Sequence, residues 1–98
     1  MGKFLVLWKM DKTMMPESPV GQMELFSRLM AMVREDNKSG MVDWGEFIGG
    51  NAGYCIVEGT AQELALDLMK YNPYVRFKVY PTLSVDQVEE NMKAISKA

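Results

Sequence analysis

Residues 53–64, GYCIVEGTAQEL, constrain the fold more than any other stretch of the chain. Tyr54, Ile56 and Val57, with the single charge of Glu58, predict a strand covered on both faces. Gly59 releases the chain. Thr60 and Glu63 then form a capping box, in which hydroxyl and carboxylate each satisfy a backbone N–H that the first helical turn leaves without a partner. A covered strand, a tight turn and a capped helix follow one another directly, so the remaining elements must be arranged around this unit.

Residues 3–9, KFLVLWK, read as a second covered strand. After a loop over 10–17, Ser18 caps a helix whose first position is Pro19 and which runs to about Asn37. Val20, Met23, Phe26, Met30 and Val33 share one stripe of it, and Leu25, Leu29 and Met32 widen that stripe. Gly40 suits a left-handed stop. Residues 41–48 alternate and carry Asp43 and Glu46, as an edge strand would; Gly49, Gly50 and Asn51 predict a hairpin turn after it. The helix over 61–71 is expected to bury Ala61, Leu64, Ala65, Leu68 and Met69, and Asn72-Pro73 breaks it. Residues 74–80 alternate cleanly, with Val75, Phe77 and Val79 on one face and Tyr74, Arg76, Lys78 and Tyr80 on the other. Ser84 and Gln87 make a second capping box, opening a last helix with Val85, Val88, Met92 and Ile95 in a narrow seam.

The resulting order, βαββαβ plus a C-terminal helix, predicts an α+β fold in one domain over 1–98. Right-handed crossovers put the first and third strands in the centre of an antiparallel sheet ordered 4-1-3-2. Two helices cover one face. The other presents apolar and aromatic groups that a lone chain would leave wet, which predicts a homodimer, with larger assemblies left open.

Composition narrows the function classes. A net charge of −2 weighs against nucleic acid and anionic membrane as partners. A single cysteine, Cys55, excludes an internal disulfide and fits a reducing cytoplasm; inside a central strand it reads as a buried small hydrophobe rather than a nucleophile. Five apolar residues between Lys3 and Lys9 are too few for a signal peptide or a membrane span. The chain has no histidine, which excludes Ser–His and Cys–His catalysis and histidine-ligated metals. Proton transfer must fall to carboxylates, Lys, Tyr, Arg or the thiol. Ten methionines are many for this length, and Met10, Met14 and Met15 crowd one loop. Thioethers can hold Cu(I), but with no Cys or His beside them they read as a deformable apolar lining or lid. No metal and no cofactor is predicted.

Over nearly the whole chain, the element order and the stretches GYCIVEGT, TAQEL and FKVYPTLSVDQ resemble the dimeric α+β barrel superfamily, which includes muconolactone isomerases and antibiotic-biosynthesis-type monooxygenases. The resemblance implies a ferredoxin-like subunit, two sheets packed face to face as a barrel, and a ligand cleft between sheet and helices in each subunit. It leaves the activity open, because one fold hosts many functions. Members that use a catalytic His–Asp pair do not match this chain.

In the predicted topology Trp8, Lys9, Tyr54, Tyr74 and Arg76 gather at one pole, beside the helix N-terminus near Ser18. Two cations, phenols and free N–H groups suit a small carboxylate; otherwise Lys9 and Arg76 are surface or interface cations. Trp44 walls an aromatic pocket or packs in the core or interface. The expected ligand-binding set is therefore Trp8, Lys9, Trp44, Tyr54, Tyr74 and Arg76. Asp43 and Glu46 are an odd number of residues apart, so they face opposite ways and make no acid/base pair. Glu46 is the better general base of these two carboxylates, and proton transfer in an enzyme would fall to Glu46, Tyr54 or Lys9; alternatively Glu46 pairs with Arg76 or Lys78 across a dimer. Glu58 is expected to pair with Lys3. Three readings follow: a homodimer binding a small hydrophobic or aromatic acid between sheet and helices, a cofactor-independent isomerase or monooxygenase-like enzyme, and a non-catalytic dimerisation or interaction module.

Overall fold

Two strands, β1 (Gly2–Met10) and β3 (Ala52–Gly59), pair antiparallel at the centre of a four-stranded sheet, with Val6 opposite Cys55 and Leu7 opposite Tyr54. The computed structural model describes residues 2–97. Strand β4 (Val75–Thr82) lies along the free side of β1, and β2 (Met41–Glu46) flanks β3, with a bulge between Met41 and Asp43. The order is β2-β3-β1-β4, which counted from the β4 edge is 4-1-3-2. With α1 (Pro19–Asp36), α2 (Ala61–Met69) and α3 (Val85–Ser96) the chain is α+β, its sheet wholly antiparallel.

The helix starts are built by local chemistry. The Ser18 hydroxyl accepts the N–H of Gly21 at 3.0 Å, and Pro19 occupies the first position. Both capping boxes form, Thr60 with Glu63 and Ser84 with Gln87. The hydrogen bonds from Thr60 hold the Glu63 carboxyl below its usual range. Gly50 and Asn51, both at positive φ, turn the β2–β3 hairpin.

Element ends differ from expectation where side chains found better partners. Strand β2 stops at Glu46 rather than at position 48, and Ile48 stands fully exposed in the turn. Helix α2 stops at Met69 rather than at 71; the N–H of Tyr71 bonds Leu68 in a tightened last turn, and the side chains of Lys70 and Tyr71 reach Asp36.

By alternation, Val6, Trp8, Met10, Cys55, Val57, Val75 and Phe77 turn toward α1 and α2. Trp8, Met10, Leu25, Leu29, Tyr71 and Val75 form one core cluster, and Val6, Cys55, Val57 and Leu64 another; Trp44 and Phe77 touch both. The buried row of α1 is Leu25, Leu29 and Asp36, whereas Val20 and Met23 face solvent and Met30 is partly exposed. On α2, Leu64 alone is buried and Leu68 partly so; Ala61, Ala65 and Met69 are exposed. Both corrections have one cause: a helix laid across a twisted sheet buries a row four residues apart, narrower than its full apolar stripe.

The opposite sheet face carries Leu5, Leu7, Tyr54, Ile56 and Tyr80, and no helix packs over it. Helix α3 buries none of its residues. The molecule is drawn out to 61 × 24 × 20 Å, with a radius of gyration of 16.7 Å, against about 13 Å for a compact chain of this length. Among the described residues no helix is long and apolar enough to cross a membrane.

Candidate functional site

Between the sheet and helices α1 and α2 lies a cavity of about 490 Å³, within the range of about 300–1,000 Å³ typical of small-molecule sites. Trp8, Trp44 and Phe77 wall it from the sheet, Phe26 from α1, and Tyr71 from the segment after α2. The two indoles stack with centroids 5.4 Å apart and planes 10° from parallel. Trp8 is pinned further, since its Nε1–H donates to the carbonyl of Gly45 at 3.2 Å. This placement requires a glycine beneath it. A Cβ on Gly53 would stand 2.6 Å from the Trp8 ring and also strike the Gly45 carbonyl.

The polar part of the lining is acidic. Asp36 is buried at the end of α1, where Lys70 Nζ donates to Oδ1 at 2.7 Å and the Tyr71 hydroxyl donates to Oδ2 at 2.5 Å. Burial, and then the bond to Asp36, push the Tyr71 phenol far above its usual range. The bond to Asp36 raises the Lys70 ammonium as well. Asp67 also lines the cavity, 3.7 Å from Lys70, and Glu46 and Asn51 complete the polar rim. The Cys55 thiol faces the same space, and burial pushes it up to about 11. It is a thiol at neutral pH and a poor nucleophile.

The residues expected at one ligand pole are split between the two faces of the sheet. Trp8, Trp44 and Glu46 line the cavity, and Tyr74 packs against the cluster around Trp8. Lys9 and Arg76 are register partners on the opposite, open face, and Tyr54 shares it. Arg76 is also committed: its Nε and Nη2 each lie 2.9 Å from Asp11 Oδ2. The Thr13 hydroxyl, with Arg76 assisting, holds the Asp11 carboxyl below its usual range. Tyr54 donates its hydroxyl to Asp43 at 2.9 Å and stacks on Phe47, and that bond raises its phenol. Asp43 and Glu46 thus stand on opposite faces, and Lys3 reaches Glu58 at 3.6 Å. Of the methionine loop, Met10 lines the cavity, Met15 packs on the core and Met14 is exposed.

Sequence reasoning overlooked Asp36, Asp67 and Tyr71. The available signal was Asp36 itself, which continues the Leu25–Leu29 row of α1 seven residues beyond Leu29 and places a carboxylate on the packed face. A comparison with known protein families finds no model that matches the chain, and a comparison with curated proteins finds no match.

Proposed function

We propose that the chain is a ligand-binding subunit of the dimeric α+β barrel type, taking a small molecule with an aromatic or apolar body into the cavity between sheet and helices. The observation that carries this reading is the cavity: its walls are mostly aromatic and aliphatic, and a few polar groups converge on it. Asp36 does not serve as a free base there, because Lys70 and Tyr71 occupy both of its oxygens. Binding without catalysis is therefore favoured over an isomerase or monooxygenase.

The partner is a second copy of this chain. The open face is about 20 by 25 Å, from four strands at about 4.8 Å spacing and eight residues at about 3.3 Å. Two such faces bury about 1,000 Å² together, and the apolar seam of α3 brings the total into the range of stable interfaces, about 1,200–2,000 Å². Charge supports one arrangement. A two-fold axis parallel to the strands lays the β4 edge of one copy, with Lys78, over the β2 edge of the other, where Asp43 stands two register steps away.

Sedimentation equilibrium at micromolar protein, together with titration by small aromatic compounds, tests both halves. A particle of twice the chain mass and saturable quenching of the tryptophans are expected. A monomer would sink the dimer, and a cavity that takes up no aromatic compound would sink the binding role.

A further inference from the structure

The ionic groups of the cavity are one-sided. The charged side chains lining it, among the described residues, are the carboxylates of Asp36, Glu46 and Asp67. Against these three stands one ammonium, that of Lys70, at 2.7 Å from Asp36 and 3.7 Å from Asp67. Glu46 makes no ion pair among the described residues. Asp36 is buried and paired, whereas Glu46 is exposed and Asp67 half-exposed. The uncompensated charge therefore stands at the mouth of the cavity, where apolar walls on one side strengthen its pull on a counter-charge relative to an open surface. Trp8 and Trp44 stack on one another, which leaves one face of each indole uncovered by the pair, and an uncovered aromatic face presents the negative side of its quadrupole to a cation. A carboxylate entering this space would meet like charge at its rim. The two cations that would have received it, Lys9 and Arg76, belong to the other side of the sheet.

We infer that the ligand of this cavity is an organic cation, an amine or quaternary ammonium carried on an aromatic or similarly bulky apolar body. The apolar body packs against Trp8, Trp44 and Phe77, and the charged head is held toward Glu46, which pairs in register with Gly53 at the Trp8 end of the cavity. The assignment rests on the ligand-binding reading of the cavity given above.

The chain's two tryptophans both stand on the cavity wall, so their emission reports on its occupancy. The test titrates the full chain at neutral pH with phenethylamine, phenethyl alcohol and phenylacetate, three molecules of nearly one shape and three charges, by fluorescence and by calorimetry. Phenethylamine is expected to bind at least about tenfold more tightly than the alcohol, and phenylacetate most weakly. Glu46→Gln is expected to shrink the ratio of amine to alcohol affinity severalfold. Equal binding of amine and alcohol, tighter binding of phenylacetate, or an undiminished amine advantage in both Glu46→Gln and Asp67→Asn would overturn the cationic assignment and leave the cavity a ligand site. Failure of all three compounds to bind at millimolar concentration would overturn the ligand site along with it.

Discussion

The hydroxyl of Tyr71 donates to the carboxylate of Asp36 at 2.5 Å, fastening the last turn of α1 to the segment that leaves α2. With Lys70 on the other oxygen, Asp36 is buried without an unsatisfied lone partner, and no buried side-chain polar atom among the described residues lacks a hydrogen bond. One ion-supported bond thereby holds the two helices that roof the cavity.

Removing that hydroxyl has a calculable cost. A hydrogen bond to a charged group contributes about 1.5–3 kcal/mol, so Tyr71→Phe is expected to lower unfolding stability by about that amount. Urea denaturation followed by far-UV circular dichroism measures it. A loss below about 0.5 kcal/mol would mean that the bond does not clamp the roof.

Alkaline pH is expected to weaken the fold through Cys55. Its thiol is raised from an ordinary value of 9 to about 11 by burial, so the folded state keeps its proton while the unfolded chain releases it. Stability contributed by this group is complete below pH 9 and is lost as pH rises toward 11, on the order of 2 kcal/mol in all. The Tyr71 phenol, raised in the same direction, extends the loss to higher pH. Cys55→Ala should flatten the stability profile between pH 9 and 10 and make it shallower between 10 and 11, where the Tyr71 phenol of the unfolded chain also ionises, while leaving its slope above 11; an unchanged profile would rule out the thiol as a source.

Gly53 should tolerate no side chain. The Cβ of Gly53→Ala meets the Trp8 ring at 2.6 Å and, more seriously, the Gly45 carbonyl, which is backbone and has nowhere to go. Overpacking of this kind costs about 1–3 kcal/mol, and loss of the Trp8–Gly45 hydrogen bond adds to that. A shifted tryptophan emission maximum and a lower urea midpoint are the expected readouts. Wild-type values for both would mean the strands can part there at little cost.

If two copies pair across the open sheet face as proposed, a charge in its middle should separate them. Leu7 lies on that face opposite Tyr54 and Lys78, and Leu7→Lys is expected to halve the sedimenting mass while the sheet signal in circular dichroism persists. Helix α3 is twelve residues long and buries nothing within its own chain, and isolated helices of that length are marginal in water. Helicity should therefore fall in the same variant. If mass is unchanged, the copies, where they associate, do so elsewhere.

Elements with a local cause were legible in the residues. The caps at Ser18, Thr60 and Ser84 follow from side-chain reach over three residues, and the central position of β1 and β3 follows from their unbroken apolar character. That Lys9 faces away from Trp8 was readable from alternation alone, whereas Tyr54 and Arg76 are placed on the face of Lys9 by the strand register. Gathering them at one pole ranked nearness along the strands above the side of the sheet they face, and that separated them from the cavity. The pairing of Asp36 with Tyr71 was beyond reach for a different reason. They lie 35 positions apart, and no local pattern says that a polar end of one helix will meet a phenol after another.

The rims of the sheet have their own consequence. On β4, Pro81 lacks an N–H and Lys78 and Arg76 add charge, while the Met41–Asp43 bulge breaks the regular spacing of β2. Such edges do not template an added strand. Ribbon-like growth into fibrils is thereby discouraged at both margins of this small protein, despite the amount of greasy surface it leaves uncovered.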